Sequence, residues 1–218
     1  MNANNVLIVG GLGYIGFHTA IKFLKCGYSV IITTRKKIND DYLILTKYNK
    51  CTIITVDYDS AFINGNFQKI LINYNITTII HCAGEKSMMN SWIEEKKFIE
   101  KNVNFTKNLL NILTPKIKNF IFLSTSMVYG DNIKGVFKEN DLTVYKNPYA
   151  KSKIEQENLL KNDIKGLNIV ILRCFNPIGM SEEYLKKSLI KNDTIIPTIL
   201  NCIKENKPFN IYGNNFNT

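Results

Sequence analysis

Tyr149 and Lys153 stand four residues apart in the run Tyr149-Ala150-Lys151-Ser152-Lys153, directly after Asn147-Pro148. Proline suits the first turn of a helix and asparagine the position before it, so a helix is predicted to start here. Residues four apart on a helix share a face. An ammonium beside a phenol favours the phenolate. The expected drop from ~10 by about two units, roughly 2.7 kcal/mol, would let Tyr149 act as a base near neutrality. Its task would be to exchange a proton with a substrate hydroxyl. Thr125, 24 residues earlier at the end of an apolar run, carries a hydroxyl that could hold the same oxygen. Thr125, Tyr149 and Lys153 form the candidate catalytic set.

Alcohol chemistry of that kind needs a hydride carrier, and the N-terminus offers a place for one. Gly10-Gly11-Leu12-Gly13-Tyr14-Ile15-Gly16 follows a short apolar run at once and opens a helical pattern. Its glycines satisfy GxGxxG from Gly11 and GxxGxxG from Gly10. Such spacing gives a tight turn, a bare backbone beside a pyrophosphate and close helix–strand packing. The helix N-terminus then presents free N–H groups and partial positive charge to the phosphates. Gly10, Gly13, Tyr14, Ile15 and Gly16 are candidate cofactor-binding residues, and a nicotinamide dinucleotide is the expected cofactor. The second strand of such a unit usually ends in an acid that binds the adenosine ribose. Here it ends in Thr33-Thr34-Arg35. Arg35 on a 2′-phosphate would favour NADP or tolerance of both cofactors; the alternative is a solvent-facing Arg35. Asp57, past the third apolar run, is a candidate partner of the adenine amino group, with Tyr58 next to it.

The elements that must position these residues are legible as β-branched runs alternating with helix-period segments. Strands are predicted over Val6–Val9, Ser29–Thr34, Thr52–Val56, Thr77–Cys82, Phe120–Thr125 and Asn168–Arg173. Helices are predicted over Ile15–Lys25, stopped at Cys26-Gly27, over about Trp92–Leu113 before Pro115, and over Tyr149–Asn162. The alternation implies α/β architecture, a doubly wound parallel sheet of Rossmann type spanning residues 1–175. From Asn176 onward the pattern changes. Leu185–Ile190 and Thr198–Glu205 look like short helices and Phe209–Tyr212 like an isolated strand. Residues 176–218 are expected to be the start of a small, truncated substrate-binding region.

Composition narrows the classes. The chain has 218 residues, 45% of them hydrophobic and 21% charged, as in ordinary globular proteins. No apolar run reaches the roughly 18 to 20 residues of a spanning helix, and the polar start does not resemble a signal peptide, so a cytoplasmic location is expected. The net charge of +10 comes almost wholly from scattered lysines, with Arg35 and Arg173 the only arginines. That scatter argues against nucleic-acid binding. Five dispersed cysteines without a CxxC pair fit reduced thiols, and two histidines without a Cys/His cluster argue against a zinc site. His18, His81, Arg173, Trp92, Phe98 and Phe105 are read as structural residues.

Further stretches carry a resemblance. They are His81-Cys82-Ala83-Gly84 with Lys86, Asn102-Val103-Asn104, Val128-Tyr129-Gly130-Asp131 and Leu172-Arg173-Cys174-Phe175-Asn176-Pro177-Ile178-Gly179. Together with the glycine turn and the Tyr149–Lys153 run, they resemble the extended short-chain dehydrogenases/reductases, NAD-dependent epimerase/dehydratase family, most closely the UDP-glucose 4-epimerase branch. The resemblance implies that Cys82, Ala83, Gly84, Lys86, Asn102 and Phe175, with Tyr149 and Lys153, line NAD. It also implies that Lys86, Thr125, Tyr149, Asn176 and Tyr212 touch a nucleotide-sugar, a UDP-sugar first of all. The implied activity is epimerisation through a transient keto-sugar in a homodimer. Cys82 and Cys174 stand where the epimerases carry aromatic residues and are expected to act as small fillers. Dehydratases of this family follow the active-site threonine with Asp-Glu; Ser126-Met127 stands here instead, so elimination is not expected. The family's substrate clamp would continue past Thr218, hence the expectation of a fragment or an abbreviated protein. A nucleotide-sugar reductase and a non-catalytic dinucleotide-binding module are the alternatives.

Overall fold

The computed structural model describes residues 5–38, 42–85, 88–130, 136–161, 164, 166–179, 181 and 195–210. The chain divides into two compact units, Met1–Pro177 and Ile178–Thr218. In the first, six strands form one parallel sheet: β1 Asn5–Val9, β2 Ser29–Thr34, β3 Cys51–Thr55, β4 Ile76–His81, β5 Asn119–Thr125 and β6 Asn168–Cys174. Their order is β3-β2-β1-β4-β5-β6. The chain winds outward from β1 to β3, then crosses back to β4 on the other side of β1. That reversal leaves a crevice between the carboxyl ends of β1 and β4, where doubly wound sheets bind ligands.

Burial follows position in the sheet. Val6 to Val9 of β1 are all buried, as a strand with neighbours on both sides and helices on both faces requires. Leu7 and Val9 join one core with Phe67, Ile79, Leu109, Phe120, Phe122 and Leu160. The residues between them point to the other face, where α1, Tyr14–Lys25, buries Phe17, Ala20, Ile21 and Leu24. Gly27, with φ +86°, ends α1 in the left-handed conformation expected of the Cys26-Gly27 stop.

Three short helices escape the hydrophobic periodicity: α2 Leu43–Thr46, α3 Tyr58–Ile63 and α4 Asn66–Asn73. The single helix expected over Trp92–Leu113 is instead two, α5 Met88–Ile93 and α6 Glu95–Asn111. Glu94 leaves the helical region at φ −129°, ψ 55° between them. α7 runs Pro148–Lys161 and packs along α6. In the second unit the described part contains α8, Ile195–Lys204. Phe209 and Asn210 of the expected strand lie in no strand; 211 and 212, like the expected helix at 185–190, fall outside the described residues. Among the described residues no helix is long and apolar enough to cross a membrane.

Candidate active site

The glycine turn lies at the carboxyl end of β1 and is built by close packing. Gly10 has φ +78°, and a Cβ there would come within 2.8 Å of the Ala83 backbone. A Cβ on Gly16 would meet the Gly10 carbonyl oxygen at 2.7 Å, so the helix sits directly on the turn. Gly10 N–H donates to Thr33 O at 2.9 Å. The buried Tyr58 phenol donates to the same carbonyl at 3.0 Å and accepts from Gly10 N–H at 3.2 Å. Tyr58 thus braces the turn from beneath. Gly13 caps α1 without a side chain, and the first turn carries no acid. A positive helix end left uncapped beside a crevice fits the diphosphate of a dinucleotide.

Thr125 ends β5, and Tyr149 and Lys153 project from the first turns of α7, whose start is capped by Asn147 Oδ1 accepting from Ala150 N–H at 2.7 Å. The Thr125 side chain is close enough to the Tyr149 phenol to draw its pKa down. Lys153 is buried; its ammonium donates to Leu123 O at 2.8 Å and lies 4.6 Å from the Phe122 ring centroid. A Cβ on Gly84 would lie 3.7 Å from that ammonium, so the loop after β4 closes on it. The fold therefore brings Thr125, Tyr149, Lys153 and Gly84 together. It corrects the expected electrostatics. Burial raises the Tyr149 phenol above its ordinary value, and the neighbouring Thr125 side chain offsets only part of that. Lys153 is aimed at a carbonyl and is itself pushed down to about 8 by burial.

Asn102 does its work through the loop after β4. Its Oδ1 accepts from Glu85 N–H at 2.8 Å, and its Nδ2 donates to Glu85 O at 3.1 Å and to Ser152 Oγ at 3.3 Å. One buried amide thereby ties residues 82–85 to α7. Burial pushes the Cys82 thiol up to about 12, which suits a filler and not a nucleophile. Thr34 is buried and its hydroxyl accepts from Lys36 N–H at 3.1 Å. Arg35 is exposed, as the alternative reading expected, and its guanidinium pairs with Glu85 at 2.8 Å. Asp57 caps α3, accepting from Ser60 N–H at 2.9 Å, a bond that holds its carboxyl below the ordinary value. A cavity of about 120 Å³ opens among Arg35, Asp57, Tyr58, Gly84, Glu85 and Asn102. Phe175 and Asn176 stand exposed after β6; Lys86 and Tyr212 lie outside the described residues.

Two networks were invisible along the chain. Glu157, fully buried, accepts from Ser124 Oγ and receives the Arg173 guanidinium at 2.7 Å; Arg173 also donates to the Tyr129 hydroxyl at 3.0 Å. His81 Nε2 meets Thr106 Oγ1 at 2.9 Å, and Gln156 donates to the same hydroxyl at 2.6 Å. Both join strand ends to α6 or α7. Glu85 is the cleft residue that sequence reasoning passed over; its two cations, Arg35 and Lys101, lie 50 and 16 positions away in the sequence.

Sheet order, glycine turn and the Tyr149/Lys153 pair on the helix beside β5 are those of a Rossmann-like fold of the short-chain dehydrogenase/reductase class. The model of the NAD dependent epimerase/dehydratase family matches residues 6–217. The chain belongs to that family. It is 27% identical to the UDP-glucose 4-epimerase of Dictyostelium discoideum, over 99% of this chain and 65% of that enzyme. It is 29% identical to the dTDP-D-glucose 4,6-dehydratase of the same organism, over 98% of this chain and 51% of the other. The solved UDP-glucose 4-epimerase of Bifidobacterium longum in complex with NAD+ and UDP superposes with a TM-score of 0.74 at 29% identity. That match covers 82% of this chain and 55% of the solved one. The chain thus spans less than two thirds of the length of these relatives.

Proposed function

We propose that this chain carries the cofactor-binding and catalytic part of an NAD-dependent nucleotide-sugar epimerase, acting on a UDP-sugar through a transient keto-sugar. The observation that carries the reading is the convergence of Tyr149, with the Thr125 side chain acting on its phenol, and the buried Lys153 anchored on Leu123 O of β5, the strand that Thr125 ends. The turn and the uncapped start of α1 would hold the diphosphate, and the loop at Cys82, Ala83 and Gly84 would lie along the nicotinamide half. When bound, the oxidised nicotinamide supplies a hydride acceptor and a positive charge against the phenol.

Tyr149 Oη takes the proton of the sugar hydroxyl and returns it after the keto-sugar has turned, while Thr125 Oγ1 keeps that oxygen in place. Lys153, anchored on Leu123 O, contributes the fixed positive charge nearest the reacting edge. Ser126 and Met127 form a 3-10 turn directly after Thr125, where an eliminating enzyme would need carboxylates. That absence of acid and base favours epimerase over dehydratase, although relatives of both kinds match.

The test is turnover by the purified chain. Interconversion of UDP-glucose and UDP-galactose with no net NADH release is expected, with nucleotide extractable from the purified protein. Stoichiometric consumption of a reduced cofactor would make it a reductase. Dinucleotide binding without turnover across a panel of UDP-sugars would leave a binding module.

A further inference from the structure

β2 lacks the acid that ordinarily meets the adenosine ribose, yet a carboxylate from another element pairs with the arginine that follows it. Glu85 follows β4, and both its N–H and its carbonyl are held by the side chain of the buried Asn102. Its carboxylate is 2.8 Å from Arg35, the first residue after β2, and 3.2 Å from Lys101. Oε1 of Glu85 therefore lies beside the guanidinium that follows β2, in the cavity that Arg35, Asp57 and Gly84 also line. The cavity there is lined by two cations, Arg35 and Lys101, against three carboxylates, Asp57, Asp59 and Glu85. A pocket for a phosphate needs the opposite balance.

We propose that Glu85 is the cofactor-specificity residue of this chain: reaching across from the fourth strand, it replaces the missing second-strand acid, neutralises Arg35 and selects the 2′-hydroxyl of NAD over the 2′-phosphate of NADP. The inference rests on the dinucleotide reading above. Arg35 alone would welcome a 2′-phosphate, as an arginine near that position does in NADP-binding folds. With Glu85 in place, a 2′-phosphate would lie a few ångströms from a fixed like charge in a half-buried crevice. Burial would raise the Glu85 carboxyl, but the hydrogen bonds from Arg35 and Lys101 outweigh it and hold the group ionised. The pair is partly exposed, so its ion pair contributes little to stability.

The test is calorimetric titration of the full chain, stripped of nucleotide, with NAD and with NADP. The wild type is expected to bind NAD at least about tenfold tighter than NADP, and Glu85→Gln to move the ratio about tenfold toward NADP. Arg35→Ala, which leaves the carboxylate without its strongest partner, is expected not to gain NADP affinity. An unchanged ratio in Glu85→Gln, or a wild type that prefers NADP, overturns the inference while leaving the dinucleotide reading intact. A wild type that binds neither nucleotide overturns the reading itself.

Discussion

At Tyr149 two influences oppose one another: desolvation pushes the phenol up and the Thr125 side chain beside it draws it down. The Lys153 ammonium, buried and tied to Leu123 O, is placed by the protein interior and not by helical spacing alone. Removing the hydroxyl tests its role without disturbing the ring, which packs 6.4 Å from the Phe98 centroid. Tyr149→Phe is expected to lower turnover by roughly 10² to 10⁴ while dinucleotide affinity changes by less than about threefold. Wild-type turnover in that variant would remove the phenol from the reaction. The catalytic candidates were legible because their chemistry and spacing lie close together in the chain. Glu85 was not, because its meaning comes from Arg35, 50 residues away.

The glycine turn works as an element through two separable demands. Gly10 needs both a positive φ and empty space against Ala83, whereas Gly27 needs a positive φ alone, with nothing within 4 Å of a Cβ placed there. Gly10→Ala should therefore cost more than Gly27→Ala by an overpacking contribution of about 1–3 kcal/mol. In a domain of this size that difference lowers the thermal midpoint by roughly 2–10 °C more, read by circular dichroism on the two variants side by side. Equal losses would show that the approach to Ala83 is not tight. Strand positions were readable to within one residue, since buried parallel strands are short β-branched runs. The break at Glu94 was not: no glycine or proline marks it, and packing decides it.

At the scale of the molecule, stability depends on polar groups buried where strands meet helices. His81, bonded to Thr106 and near Lys153, is pushed down to about 3 by burial first and by the ammonium second. It stays neutral in the fold while the unfolded chain takes up a proton below pH 6.5. Stability is thus fully present above that pH and declines as pH falls toward 3, with a slope of up to about 1.4 kcal/mol per unit. Between pH 6.5 and about 5.5, clear of the ordinary glutamate value of 4.5, His81 is, among the described residues, the group whose shift produces the slope. Thermal midpoints of wild type and His81→Asn should diverge across that window as the variant loses the dependence; parallel curves would sink the assignment. What the sequence by itself determined was local: six parallel strands, the glycine turn, the start of α7 and the Tyr/Lys pair, because each is written in neighbouring residues through side-chain period, backbone freedom and capping. Only the tertiary structure decided that Lys153 faces a carbonyl, that Asn102 clamps the loop after β4, and that Glu85 answers Arg35. Those outcomes depend on burial and on pairs of charges that the chain keeps far apart until the sheet closes.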